Sequence, residues 1–403
     1  MTRRKSIQIL LCNVLSAVSG RILNSAPIQN TNKKVDKLLF IKAAGSPFRL
    51  GYEYSQQIRS EYQRFIEDSL NGLLQQFNVE DLNKVYSYIS RQLKADFPYL
   101  IEELHGMAEG ANLDFDSVAM ANLAPAYGAF INRKDGQKSK FGCPVGIGFD
   151  DFPGEGCTNI IFPESDGGPI LGRTLDASTP ELELGYVRLI APEIGYRLIC
   201  FTSVSGLITN SGVNEHGLGV GDASLHFPSV NPRGVIRNFL PRLILQNCAN
   251  VEQGIQFLSK YPVIRHGYNF ALVDKKGHAA IVERSPQEMY VRRSNGEVLF
   301  CTNHTVTPCM RKLELSRGEI GDKNSDERYA YLIQLTSTEN FQKTFNSMKN
   351  LVCSHKVPGG ICQHGELEMY TRRTFLINCQ NRKLFVTDGP ACQNEFKEFK
   401  LTP

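Results

Sequence analysis

Apolar residues recur at helical intervals over a long N-terminal stretch and then switch to short alternating runs. In "PFRLGYEYSQQIRSEYQRFIEDSLNGLLQQF", Leu50, Tyr54, Ile58 and Tyr62, then Phe65, Leu70, Leu73 and Leu74, keep the spacing of one helix face. "VEDLNKVYSYISRQLKADF" and "FPYLIEELHGMAEGANL" continue it, with Pro98 at a helix start and Gly110 at a stop. Helix is therefore expected from about Ser46 to Phe130. Between Thr158 and Leu225, the runs "TNIIF", "PILGRTLD", "YVRLIAP", "YRLICFTS", "LITNSG" and "GLGVGDASL" are separated by Gly, Asn and Pro, which predicts one antiparallel, meander-like sheet. Helix returns over 235–260, interrupted near Pro241 and Asn250. "YNFALVDKKGHAAIVER", with a turn at Lys275 to Gly277, together with "EMYVRR" and "VLFCTNH", predicts a second strand set. Helices near Glu327 to Thr336 and Phe341 to Val352 follow, and "RRTFLINCQNRKLFVTDGP" reads as a closing hairpin. Runs of strands alternating with runs of helices argue for α+β layers and against a parallel Rossmann sheet.

Composition narrows the function classes. With 403 residues, 41% hydrophobic and 21% charged, the chain can bury a full core. The net charge of +4 is spread along the sequence, Trp is absent, and no basic block interleaves with aromatics, so nucleic acid is not an expected partner. The 11 cysteines are odd in number, form no CxxC pair, and include Cys301 with Cys309 and Cys353 with Cys362, which lack His at zinc-finger spacing. The reading is therefore of scattered core thiols, with no metal and no cofactor. Residues 1–38 predict an export or targeting segment: "MTRRKSIQILLCNVLSAVSG" has a basic start, an apolar middle and no acid before Asp36. Export to the periplasm or outside is favoured; mitochondrial and cytoplasmic locations are the alternatives. Elsewhere nothing approaches the apolar length of a membrane span.

The chemistry concentrates in "GEGCTNIIFPESDGGPILGRTLD", residues 154–176. A cysteine nucleophile needs a base, and eight His are present, but no cysteine-protease signature surrounds Cys157. Cutting the Gly156–Cys157 bond would supply a base of another kind, the α-amine of Cys157 itself. Glycine at 156 suits attack of the thiol on its preceding carbonyl, because the missing Cβ leaves the backbone free to approach. A turn at Asp166-Gly167-Gly168 folds Arg173 and Asp176 back beside Cys157. There Asp176 can hold the amine, and Arg173 can favour thiolate or grip an anionic group. A surface Arg–Asp pair is the bland alternative.

These residues, with "GSPFRLGYEYSQQIRSEY", "FPYLIEELHGMAEGANLDFDSVAMAN", "SGLITNSGVNEHGLGVGDASLHF" and "LFCTNH", resemble the isopenicillin N acyltransferase-like family (peptidase C45) of N-terminal-nucleophile hydrolases. A more distant similarity is to bile-salt hydrolases and penicillin V amidases. The resemblance runs from about Ser46 to the C-terminus and implies a four-layer αββα sandwich with antiparallel sheets. It implies a helical pro-segment over 39–156 and a catalytic β-chain over 157–403, cleaved from one precursor but folded as one domain. Such an αβ heterodimer can associate further into homo-oligomers. Cys157 is implied as autoproteolytic residue and nucleophile, Asp176 as the group orienting its amine, and Asn303 as an oxyanion donor. Arg173 matches the Gly-Arg of the bile-salt hydrolase branch. Arg373, or Arg372 beside it, falls near the family's late arginine, and Ser224 lies where relatives carry a substrate-facing Asn. Leu175 replaces the aromatic of the acyltransferase "NWD" pattern, so a penicillin-type substrate is not implied. Asn214 and Glu215 read as a structural turn. The implied activity is cleavage of a small acylated amine or amino acid, or acyl transfer across its C–N bond, through an S-acyl enzyme. An acyl-CoA-dependent N-acyltransferase, a non-catalytic acyl-binding homologue and a His-assisted cysteine protease are the alternatives.

Overall fold

The computed structural model describes residues 38–130, 155–178, 185–338, 340–356 and 358–401. The proposed targeting segment therefore lies outside the described residues but for Leu38. A short strand, β1 (Phe40–Gly45), precedes five helices: α1 (Pro47–Gln57), α2 (Arg59–Gln76), α3 (Val79–Asp96), α4 (Pro98–Ala111) and α5 (Phe115–Asn122). Their boundaries follow local chemistry. Ser46 caps α1 by accepting from the Arg49 N–H at 3.3 Å, Pro98 opens α4, and Asp114 caps α5 by accepting from the Ser117 N–H at 2.8 Å.

Strands β2 (Glu155–Phe162), β3 (Ile170–Ala177), β4 (Gly185–Pro192), β5 (Leu198–Ser203), β6 (Thr209–Asn214) and β7 (Gly219–Val230) follow, close to the expected runs. They do not form one meander. β2 and β3 belong to a six-stranded sheet, order β11-β2-β3-β12-β13-β14, whereas β4 to β7 belong to an eight-stranded sheet, order β1-β4-β5-β6-β7-β8-β9-β10. The second strand set divides too: β8 (Arg265–Val273), β9 (Ala279–Arg284) and β10 (Met289–Arg293) extend the larger sheet, and β11 (Leu299–Cys301) edges the smaller. β12 (Tyr370–Asn378) and β13 (Lys383–Val386) make the expected hairpin, to which β14 (Lys397–Lys400) adds. Named strands pair antiparallel except β1, which lies parallel to β4.

Side-chain alternation turns these sheets into layers. In β5, Leu198 and Cys200 face the core beneath the N-terminal helices, while Ile199 and Phe201 face a second core with Ile161 of β2 and Phe375 and Ile377 of β12. That second core is the space between the sheets. On the outer face of the smaller sheet, Ile160, Phe162 and Leu376 pack with residues of α9 (Glu319–Thr336) and α10 (Phe345–Val352). Helices α6 (Leu240–Asn247) and α7 (Val251–Lys260) join α1–α5 over the larger sheet, Pro241 starts α6 instead of interrupting it, and the single turn α8 (Pro308–Arg311) precedes α9. The molecule is thus a four-layer αββα sandwich of the α+β class. Among the described residues no helix is long and apolar enough to cross a membrane.

Candidate active site

Strand register brings the candidate residues together. Cys157 stands opposite Leu175 and Gly156 opposite Asp176 in the β2–β3 pair. β12 continues both rows, with Arg373 opposite Leu175 and Thr371 opposite Asp176. Cys157, Leu175 and Arg373 therefore share the inter-sheet face, while Asp176 and Thr371 share the face toward α9. A Cβ on Gly156 would meet Met369 Sδ at 3.0 Å and Asp176 Cβ at 3.1 Å, so the position is tight for any larger residue.

Cys157 is 4% exposed. Arg173 Nη2 lies 3.5 Å from its Sγ, and the same guanidinium is held by a buried ion pair to Asp222 Oδ1 at 2.7 Å. Arg173 Nε donates to the Asp222 carbonyl at 2.9 Å and Nη1 to the Asn210 carbonyl at 2.7 Å. Anchored to the facing sheet in this way, the arginine presents its last edge to the sulfur.

Asn303 meets the other side of Cys157. Its Oδ1 accepts from the Cys157 backbone N–H at 2.7 Å and from Arg328 Nη2 at 3.0 Å. Its Nδ2 donates to the Ser224 carbonyl at 3.2 Å and lies 3.1 Å from Ser224 Oγ. Two donors on one side and two acceptors on the other fix the amide's orientation. Ser224 is thus a buried support for Asn303.

Asp176 is fully enclosed. Thr371 Oγ1 donates to its Oδ1 at 2.7 Å and Thr174 Oγ1 to its Oδ2 at 3.1 Å. Burial raises its pKa from 3.8 to about 6, against the opposing pull of Arg328 and the two hydroxyls. Cys301, across from Asn159 on β11, is a thiol that burial pushes up to about 12, so it offers no rival thiolate.

Arg373 lies farther off: its Nη1 pairs with Asp388 at 2.7 Å and its guanidinium sits 4.8 Å from the Phe201 ring centre. The register shift between Thr371 and Arg373 falls on Arg372, so of the two neighbouring arginines it is Arg373 that pairs with Leu175. The arginine that reaches the cysteine backbone is Arg328 of α9, which the sequence reading missed. Nη1 donates to the Cys157 carbonyl at 2.7 Å and to Thr158 Oγ1 at 2.8 Å, and Nε donates to Asn324 Oδ1 at 2.9 Å. Its signal was a polar Asn324–Arg328 pair at helical spacing, which only the packing of α9 on the sheet shows to be buried. Asp222 was missed for a similar reason, since nothing local marks a carboxylate on β7 as partner to Arg173. His304, next to Asn303, has its pKa lowered to about 3 by burial and nearby arginines, so it is a neutral hydrogen-bonding ring. Asn214 caps its own turn, accepting from the His216 and Leu218 N–H groups at 3.1 and 3.0 Å.

Residues 163–361 match the family described as acyl-coenzyme A:6-aminopenicillanic acid acyl-transferase. The matched stretch spans just under half of the chain. The chain is 23% identical over 276 residues to an acyl-coenzyme A:6-aminopenicillanic-acid-acyltransferase 40 kDa form of Emericella nidulans, covering 67% of this chain and 70% of the relative. Among solved structures it is similar to penicillin V acylase from Agrobacterium tumefaciens (TM-score 0.38, 17% identity, 61% of this chain and 86% of the other). It is also similar to the Caenorhabditis elegans ortholog of N-acylethanolamine-hydrolyzing acid amidase (TM-score 0.39, 15% identity, 61% of this chain and 100% of the other). The fold assignment itself rests on the four layers described above. The matching family and the curated relative are both acyltransferases by name.

Proposed function

We propose that the chain cuts itself between Gly156 and Cys157 and then acts as a cysteine amidase or acyltransferase on a small acylated amine. The observation that carries the reading is the convergence on one residue. The Cys157 sulfur faces Arg173, its N–H faces Asn303, and Asp176 stands opposite the residue to be removed.

In the first step the Cys157 thiol attacks the Gly156 carbonyl carbon. A C–S bond forms, the C–N bond breaks, and the thiol proton passes to the departing nitrogen. Water then hydrolyses the thioester, leaving a carboxylate on Gly156 and restoring the thiol. Asn303 Oδ1 and Arg328 hold the N–H and the carbonyl of Cys157, the residue on the amine side of this bond. In turnover the new α-amine takes the thiol proton, and the Arg173 charge favours the resulting thiolate. Attack on an amide carbonyl gives an oxyanion, for which an Asn303 Nδ2 hydrogen is the candidate donor, shared with Ser224. The amine leaves with a proton, and water or a second amine resolves the S-acyl enzyme. Arg373, on the Cys157 face of the sheet, is the candidate contact for a distal acidic group of the substrate. An acyl-CoA donor, as in the relative's name, would enter at the same S-acyl stage.

A denaturing gel with intact-mass measurement tests the first step. Purified chain should give two fragments whose masses meet at 156/157, and Cys157→Ala a single full-length band. A parent chain that stays in one piece yet hydrolyses N-acyl amines would rule out the proposed base.

A further inference from the structure

A second group of reactive side chains lies outside the Cys157 site. Beyond α10 the chain passes His355 and doubles back, the Cys362 N–H donating to the Ser354 carbonyl at 3.0 Å, and His364 bridges to Tyr370. The turn after β13 brings Cys392 to the same place. Cys362 Sγ lies 3.6 Å from Cys392 Sγ and 3.5 Å from His364 Nε2, and His364 Nε2 lies 3.2 Å from Cys392 Sγ. The His355 ring centre is 4.8 Å from that of His364, and the four ligand atoms all lie within 4.8 Å of one another.

A disulfide needs sulfurs about 2.05 Å apart, well short of the spacing here. Tetrahedral zinc, with Zn–S near about 2.3 Å and Zn–N near about 2.0–2.1 Å, sets its ligand atoms about 3.3–3.8 Å apart. The three separations of 3.2 to 3.6 Å match that spacing closely. The widest pair must close by about 1 Å to complete the shell. His355 and Cys392 are on the exposed rim, where such a movement meets little resistance, while Cys362 is buried.

We propose that His355, Cys362, His364 and Cys392 bind one structural Zn²⁺. Binding releases the two thiol protons to solvent, leaving two thiolates and two neutral imidazoles around the ion, a set with no net charge. Four protein ligands leave no open position, which marks a structural and not a catalytic metal. The sequence reading expected no metal because it sought paired local motifs; here the ligands come from separate turns that only the fold assembles.

The site has a task to perform. Gln363, between two of the ligands, donates its N–H to Thr371 Oγ1 at 2.9 Å, and that hydroxyl donates to Asp176. Gln363 Oε1 accepts from Asn324 Nδ2 at 2.9 Å, and Asn324 in turn holds Arg328. A metal fixing residues 362–364 would therefore brace both groups flanking Cys157. The assignment itself stands on ligand geometry and is independent of the proposed reaction.

The test uses the full chain, expressed with added zinc and purified without chelator. Elemental analysis should find one zinc per chain. Exchange for Co²⁺ should give the visible bands of a tetrahedral site and thiolate-to-cobalt charge transfer. Cys392→Ser and His355→Ala, both at the surface, should each lower Co²⁺ affinity by about tenfold or more while leaving the circular dichroism unchanged. A folded chain that holds neither zinc nor cobalt would overturn the proposal, as would a Cys362–Cys392 disulfide found by non-reducing peptide mapping in a metal-free protein. Cleavage at 156/157 is read on the same samples, so metal bound to an uncut chain would remove the catalytic reading and leave this one standing.

Discussion

At the scale of single residues, Asp176 carries the sharpest prediction. Its pKa is raised from 3.8 to about 6 because the carboxylate must ionise inside the protein. Below about pH 4 the carboxyl is protonated in both folded and unfolded chains, so its ionisation costs the fold nothing. Between about pH 4 and 6 the unfolded chain gives up this proton while the folded chain keeps it, so stability falls across that window and levels off above about 6, where the folded form carries the buried charge. In the uncut Cys157→Ala background, Asp176→Asn should therefore raise the free energy of unfolding at pH 7 to 8 by on the order of 3 kcal/mol. The gain should vanish toward pH 4, as followed by urea midpoints; a difference that does not change with pH would contradict the burial argument. The same residue was legible in the sequence through the hairpin spacing of Cys157, Arg173 and Asp176. Its partner Thr371 was not, because a strand far along the chain supplies it.

At the scale of elements, the N-terminal helices are tied to the larger sheet by charge as well as by apolar contact. Glu103 of α4 accepts from Arg188 Nη2 of β4 and from Arg242 Nη2 of α6, each at 3.2 Å, and all three side chains are buried. Arg188 also lies 4.1 Å from the centre of the Tyr54 ring of α1. Glu103→Gln removes the one carboxylate shared by two buried guanidinium groups, and the expected loss is about 3–5 kcal/mol in chemical denaturation. A loss under about 1 kcal/mol would show that water reaches the arginines and that the network contributes little. Helix α4 packs closely on α1 because Gly51 of α1 and Gly106 of α4 lie at their crossing, each against the other helix's backbone. A Cβ on Gly51 would stand 1.9 Å from the Glu103 carbonyl, and one on Gly106 would stand 1.8 Å from the Phe48 carbonyl. Helix periodicity announced both helices, but the glycines meant close approach only once the partner was known.

At the scale of the whole molecule, helices α1–α5 precede the proposed cut and cover the sheet that follows it. Their contact is an extended core joining Leu50, Tyr54, Leu104 and Met107 to Tyr186, Ile190 and Leu198. A chain cut at 156/157 should consequently elute from a sizing column as one species and separate only in denaturant. Two fragments that part under native conditions would show that this core does not hold without the peptide bond.

Alternation along each strand and periodicity along each helix depend only on near neighbours, so the sequence by itself determined the elements, the α+β class and the compact Gly-Cys…Arg…Asp unit. It also carried the blocks by which the chain resembles the acyltransferase-like family. Which sheet each strand joins is a long-range choice, made by which apolar face finds a matching partner, and it was invisible in the local pattern that suggested one meander. The same holds for Arg328, Asp222 and Ser224, and for the Cys/His cluster. Their chemistry exists only where separate elements meet, and burial there turns ordinary polar residues into a site.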